Sequence, residues 1–215
     1  MKIGVFDSGI GGTSVLEAIK KLLPNEEYYY FADSKNCPYG EKEDDELYRI
    51  VKGNVEFLIN WGAEIIVIAC NTATTRCIEK LREEFKIPFV GTEPAVNLAV
   101  KSNANKILVL ATPGTIHSER LETLVKENQR QNQAIDLLPC PGLADTIEFN
   151  LNKDESKIYK KLEELLNNLP KDYDSIVLGC THYSLIKPLI QEFFPSAELV
   201  DGNEGIAKRV KELVK

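Results

Sequence analysis

The sequence predicts an α/β fold made of two similar doubly wound parallel-sheet domains, related by a pseudo-two-fold axis and sharing one cleft. Two observations predict it. Apolar runs alternate with amphipathic stretches along the whole chain, and one segment of the chain can be laid over another without gaps. Strands that alternate with helices build βαβ units, whose strands run parallel. The 215 residues, 43% of them hydrophobic, suffice for one large or two small cores of this kind.

In chain order, residues 3–6, 28–31, 65–69, 89–91, 107–111, 134–138, 176–178 and 199–200 read as short buried strands. Each is a brief apolar run of strand length. Helical spacing occupies residues 13–23, 44–61, 74–85, 118–128, 156–169 and 185–194. The acidic run 41–46 reads as a solvated helix start, where carboxylates meet the positive end of the helix dipole. Near the end, Ile206, Val210 and Leu213 recur at helical spacing, with Lys208, Arg209 and Lys211 on the remaining face.

The internal repeat carries the functional argument. The stretch IIVIACNTATTRCIEKLREEFKIPFVGTEP from Ile65 overlays SIVLGCTHYSLIKPLIQEFFPSAELVDGNE from Ser175, and in that register Cys70 falls on Cys180. Both thiols close an apolar strand, and both precede a helix. Residues 2–6 correspond in the same way to 106–110, so one half ends and the other begins near residues 92–97. Ligands of open parallel sheets bind beyond the carboxyl ends of the strands. Two such ends facing each other place two thiols across one cleft.

Composition narrows the chemistry. A net charge of −7 and a pI near 5.1 argue against nucleic acid as the main partner. No apolar stretch approaches the roughly 18 residues of a membrane span, and the first residues read as a strand instead of a signal peptide, which makes the cytoplasm the expected location. Five cysteines without an export signal speak for reduced thiols. Cys37, Cys77 and Cys140 are expected to be core residues. With no CxxC and only His117 and His182, a zinc framework is not expected, and His117 reads as a surface or helix-start residue. The glycines of residues 9–12 lack GxGxxG spacing and no Walker lysine follows, so no nucleotide cofactor is expected.

Two opposed thiols suit inversion of a stereocentre that bears an acidic C–H, because a base must act on one face and an acid on the other. A free thiol titrates at about 8.5, near enough to neutrality to serve in either role. Asp7 ends the first strand and His182 lies two residues past Cys180, so both can tune the thiols. Asn71, Thr72 and Thr181 offer short polar side chains and backbone N–H groups at helix starts, suited to carboxylates.

DSGIGG (7–12), PYG (38–40), ACNTAT (69–74), TPGT (112–115), CP followed by Glu148, and GCTHY (179–183) together resemble the glutamate racemase family, in its order and over almost the whole chain. The resemblance implies two α/β domains, 1–95 and 96–203, with helix 204–215 returning to the first. It implies no cofactor and no metal, Cys70 and Cys180 as the two bases, and Asp7, Glu148 and His182 as assisting groups. Ser8, Pro38, Tyr39, Gly40, Asn71, Thr72, Thr112, Thr115 and Thr181 would line a small-molecule substrate. The resemblance implies glutamate as that substrate, with its D form supplied for peptidoglycan. Alternatives are another small acid such as aspartate, or a catalytically weak amino-acid-binding regulator. The family usually carries a further C-terminal segment packed on the first domain, so an apolar strip there, and a homodimer that covers it, are expected. Asp145, the run Thr92-Glu93-Pro94 after Gly91, and Ser184 depart from the family pattern.

Overall fold

The computed structural model describes residues 1–102 and 104–214. Strands β1 (Lys2–Asp7), β2 (Glu27–Ala32), β3 (Ile65–Ile68) and β4 (Phe89–Gly91) form one parallel sheet, ordered β2-β1-β3-β4. Strands β5 (Lys106–Ala111), β6 (Ala134–Pro139), β7 (Ser175–Gly179) and β8 (Glu198–Val200) form a second, ordered β6-β5-β7-β8. The two orders are the same order, so the repeat seen in the sequence is a repeat of topology.

Helices cover both faces of each sheet, which is why the central strands are buried at nearly every position and carry apolar residues on both sides. In β1, Ile3 and Val5 face α1 (Thr13–Leu22), whereas Phe6 joins the cluster under α2 (Asp44–Trp61) and α3 (Asn71–Glu84). In β3, Ile65 and Val67 take the first side, Ile66 and Ile68 the second. The second sheet repeats the pattern. Ile107, Val109 and Val177 pack toward α4 (Val96–Lys101) and α6 (Glu119–Asn128). Leu108, Leu110, Ile176 and Leu178 pack toward α7 (Leu143–Asn150), α8 (Glu155–Leu166) and α10 (Lys187–Phe193).

Three helical readings of the sequence need adjustment. Helix α3 starts at Asn71 and not at residue 74, immediately after Cys70. The helix expected over 185–194 is the shorter α10, with Pro188 in its first turn, where its missing N–H and fixed φ fit, and a separate single turn, α9 (Thr181–Ser184), precedes it. Helices α4 and α7 and the single turn α5 (Pro113–Ile116) lay below the resolution of periodicity, being only 6, 8 and 4 residues long.

The last helix, α11 (Asn203–Leu213), packs Ile206, Ala207 and Val210 against Val15 and Ile19 of α1 and Val90 of β4. Its sequence reading extended to Lys215, which lies outside the described residues. Glu93, just past β4, accepts from Arg120 of α6 through both oxygens, at 2.7 and 3.0 Å, so a bidentate ion pair ties the first sheet's exit to the second half. No helix among the described residues is long and apolar enough to cross a membrane.

Val210 is fully buried between α11 and α1. Val210→Ala should lower unfolding stability by about 2 kcal/mol, from lost burial plus a cavity. Urea denaturation followed by circular dichroism should show a lower midpoint at unchanged slope, and an unchanged midpoint would show that α11 does not brace the fold.

Candidate active site

The carboxyl ends of the strands from both sheets meet at one place. Asp7 closes β1; Asp33 and Ser34 follow β2; Cys70 follows β3; Thr112 follows β5; Cys140 follows β6; Cys180 follows β7. Cys70 and Cys180 adopt nearly the same extended backbone, φ −138°, ψ 120° and φ −145°, ψ 136°, and each is the residue before a helix. Both thiols are buried, at 5% and 7% exposure. Cys180 is near enough to Cys70 to contribute to raising its pKa.

Their neighbours differ. Cys70 Sγ lies 3.9 Å from Ser8 Oγ, and Cys180 Sγ lies 3.9 Å from His182 Nδ1. Burial pushes the Cys70 thiol well up, and the Asp7 carboxylate adds to it. For His182, burial works against the charged ring, but hydrogen bonds to Cys180, Cys37 and Glu148 outweigh it and hold its pKa well above the usual imidazole range. Burial raises Asp7 as well, against the opposing pull of His182 and of backbone N–H groups of the glycine turn.

Two carboxylates cross the cleft. Asp7, fully buried, accepts from Gly12 N at 2.8 Å within its own half and from Thr181 Oγ1 at 3.3 Å in the other. Glu148, on α7 of the second half, accepts from His182 Nε2 and from Ile10 N, both at 2.8 Å, and from Ser34 Oγ. Burial alone would raise the Glu148 pKa, yet these donors lower it below the ordinary value. The turn after β1 must contain glycine for this approach. A Cβ at Gly9 would come within 2.1 Å of Glu148, and one at Gly11 within 2.6 Å of His182 N.

Thr72 Oγ1 meets Thr112 Oγ1 at 2.8 Å and Thr115 Oγ1 at 3.2 Å, so three hydroxyls from both halves satisfy one another. Asn71 is 4% exposed, and its Oδ1 has no hydrogen-bond partner among the described residues. Pro38 and Gly40 stand against Thr112, Cys140 and Asp145, leaving a gap of only about 10 Å³. The larger cavity, about 670 Å³, lies outward of the threonines; Gly40, Arg76, Gly114 and the exposed His117 line it, and neither thiol does. The thiols therefore sit in a closed cleft.

Tyr39 is 1% exposed, its hydroxyl donates to Asp33 at 2.6 Å, and Asn54 donates to it at 2.8 Å. One feature differs from the sequence reading. Cys37 is not a core residue like Cys77 and Cys140. It is half-buried, and its Sγ lies with ligand atoms of Glu148 and His182, all within 4.8 Å of one another. Asp33, Ser34 and Asn54 were missed altogether. The first two occupy the carboxyl end of β2, beside β1, a position where strand-end logic would have found them.

Two parallel α/β sheets whose matching strands each end in a thiol at a shared cleft define an enzyme of the amino-acid racemase class. The chain belongs to the Asp/Glu/Hydantoin racemase family, whose sequence model matches residues 3–210. It is 43% identical over 218 residues to the glutamate racemase of Halothermothrix orenii, covering 100% of this chain and 85% of that one. It is 44% identical over 223 residues to that of Campylobacter curvus, with 99% and 83% covered. Among solved structures it resembles Escherichia coli glutamate racemase in complex with L-glutamate and activator UDP-MurNAc-ala, at TM-score 0.88, 30% identity, and 99% and 81% coverage. Picrophilus torridus aspartate racemase, at TM-score 0.67 and 18% identity, shares the fold.

The Glu148–His182 pair gives a pH-dependent signature. The raised His182 pKa contributes stability that is fully present below the unfolded value of about 6.5 and is lost as pH rises through the folded value. The lowered Glu148 pKa contributes stability present above about 4.3 and lost as pH falls through its folded value. Between about pH 4.5 and 6.5 both contributions are in place. Glu148→Gln should be less stable than the parent by about 1–3 kcal/mol in that window, with the gap narrowing at alkaline pH. Denaturant titrations of both proteins across the pH range check this; a pH-independent gap would show that the pair is not ionic.

Proposed function

We propose that the protein is a cofactor-independent racemase that interconverts L- and D-glutamate, with Cys70 and Cys180 acting on opposite faces of the substrate's α-carbon. The observation that carries this is the equivalence of the two thiols: same strand, same backbone conformation, one cleft. One thiolate takes the α-proton and the opposite thiol returns a proton to the other face. Each turnover leaves the two cysteines with exchanged protonation states, and reaction in the reverse sense restores them.

The unlike surroundings divide the work. The raised pKa of Cys70 keeps its proton on sulfur, ready for delivery, while the His182 ring, 3.9 Å from the Cys180 sulfur, stands beside the opposite thiol. The partnerless Asn71 Oδ1 suits the substrate ammonium. Hydroxyls of Ser8, Thr72, Thr112, Thr115 and Thr181, with the first N–H groups of α3, suit its carboxylates. Asp7 and Glu148 hold the two halves at reacting distance. Glutamate is favoured by the relatives, which are named glutamate racemases at 43% and 44% identity over nearly the full chain.

The same reading includes D-glutamate supply for peptidoglycan in the cytoplasm. It also includes a homodimer through the first sheet, where Tyr29 and Phe31 pack on Phe57, which is 43% exposed, and Trp61 packs on Tyr29.

Incubation with L-glutamate in deuterated water tests the reading: the D-glutamate formed should carry deuterium at the α-carbon. Cys70→Ala and Cys180→Ala should each lower racemisation by about 10²–10⁴-fold while far-ultraviolet dichroism is unchanged. Near-normal turnover by Cys180→Ala would remove the two-base mechanism, and preference for aspartate over glutamate in a substrate panel would change the substrate.

A further inference from the structure

We propose that Cys37, Glu148 and His182 form an inhibitory site for a thiophilic divalent metal ion, zinc being the type case, that locks the cleft closed. The inference rests on the reading of the cleft as the racemase site. Its chemical basis stands apart from that reading. A thiolate, an imidazole and a carboxylate are the three ligand types that zinc takes, and three protein ligands with one open position is an established arrangement for it. Among the described residues, these three side chains bring their ligand atoms within 4.8 Å of one another.

The site is already assembled by the fold. Glu148 and His182 side chains are 4% and 1% exposed, and they meet at 2.8 Å between Oε2 and Nε2. On zinc, nitrogen and oxygen ligands at bond lengths of about 2.0–2.1 Å stand about 3.3 Å apart in a tetrahedron. The pair must therefore part by only about half an ångström when the ion replaces the proton they share. Ser34 Oγ and Ile10 N hold the other positions of Glu148, fixing the orientation of the carboxylate from outside the ligand set. Cys37 is the half-buried member, so an ion has a path of approach at its sulfur.

The three ligands come from three places: the connection between β2 and α2, helix α7, and helix α9. Cys37 belongs to the first half and the other two to the second. A bound ion is thus a bolt across the same cleft that substrate must open, and it occupies the imidazole that lies 3.9 Å from the Cys180 sulfur. Inhibition follows from both effects. The ion takes no part in the reaction.

The test uses the full-length, reduced, chelator-treated protein and zinc chloride, with cobalt(II) as the spectroscopic probe. The parent protein should bind one ion per chain by calorimetry and lose racemisation as that site fills. With cobalt(II) it should show thiolate-to-metal charge-transfer absorption in the near ultraviolet. Cys37→Ala should bind at least about tenfold more weakly and lose the charge-transfer band, and the racemisation it shows without metal should survive zinc at concentrations that silence the parent; Cys37→Ser is the second variant should alanine disturb folding. Equal zinc inhibition of parent and both variants would place the ion on Cys70 and Cys180 and overturn the proposal. Absence of cobalt binding in a protein that racemises normally would also overturn it and leave the function intact. Cys37-dependent cobalt binding in a protein without racemase activity would uphold the metal site and fault the functional reading instead.

Discussion

Everything at the cleft depends on two carboxylates that are buried between the halves and satisfied across them. An ionised carboxylate out of water costs several kcal/mol unless donors surround it. Asp7 finds its donors at Gly12 and Thr181, Glu148 at Ile10, Ser34 and His182. Each carboxylate draws on both halves. Separation of the sheets would strip each of part of its shell, and the closed arrangement follows from that requirement. The glycine turn after β1 exists in this form because the carboxylate and imidazole of the other half occupy the space its side chains would fill.

Backbone symmetry and side-chain asymmetry serve different ends. The repeated β-strand, thiol and helix start give two sulfurs in equivalent frames. In the overlay of the halves, Asn71 stands where Thr181 does and Thr72 where His182 does. The imidazole is therefore present on one side only, while a threonine hydroxyl, engaged with Thr112 and Thr115, takes its place on the other. Equivalent backbone frames therefore carry unlike neighbours, an imidazole beside Cys180 and a serine hydroxyl beside Cys70.

The fold was legible because both faces of each sheet are covered, so its strands appear as unbroken apolar runs, and because the chain repeats. Short elements escaped: α7 is 8 residues long, less than the window that periodicity needs, yet it carries Glu148. The placement of Cys70, Cys180, Asp7 and His182 at strand ends could be read from local pattern. The neighbourhood of Cys37 could not. Its partners are 111 and 145 positions along the chain, by subtraction of their numbers, and they reach it through two different helices. The partners of the Tyr39 phenol, Asp33 and Asn54, were equally illegible, since a motif names a residue but not what its side chain bonds to.

The closed cleft also bears on chemical durability. Thiols are damaged by peroxide and alkylating agents in their ionised, accessible form. In the closed state both are nearly sealed from solvent, and Cys70 in addition is held as the neutral thiol. Under the proposed function, the openings that admit substrate and release product are the moments at which oxidants would gain access. Wear on this protein therefore accumulates with the number of such openings and not with the age of the molecule: an idle population stays intact in an oxidising burst that disables a busy one.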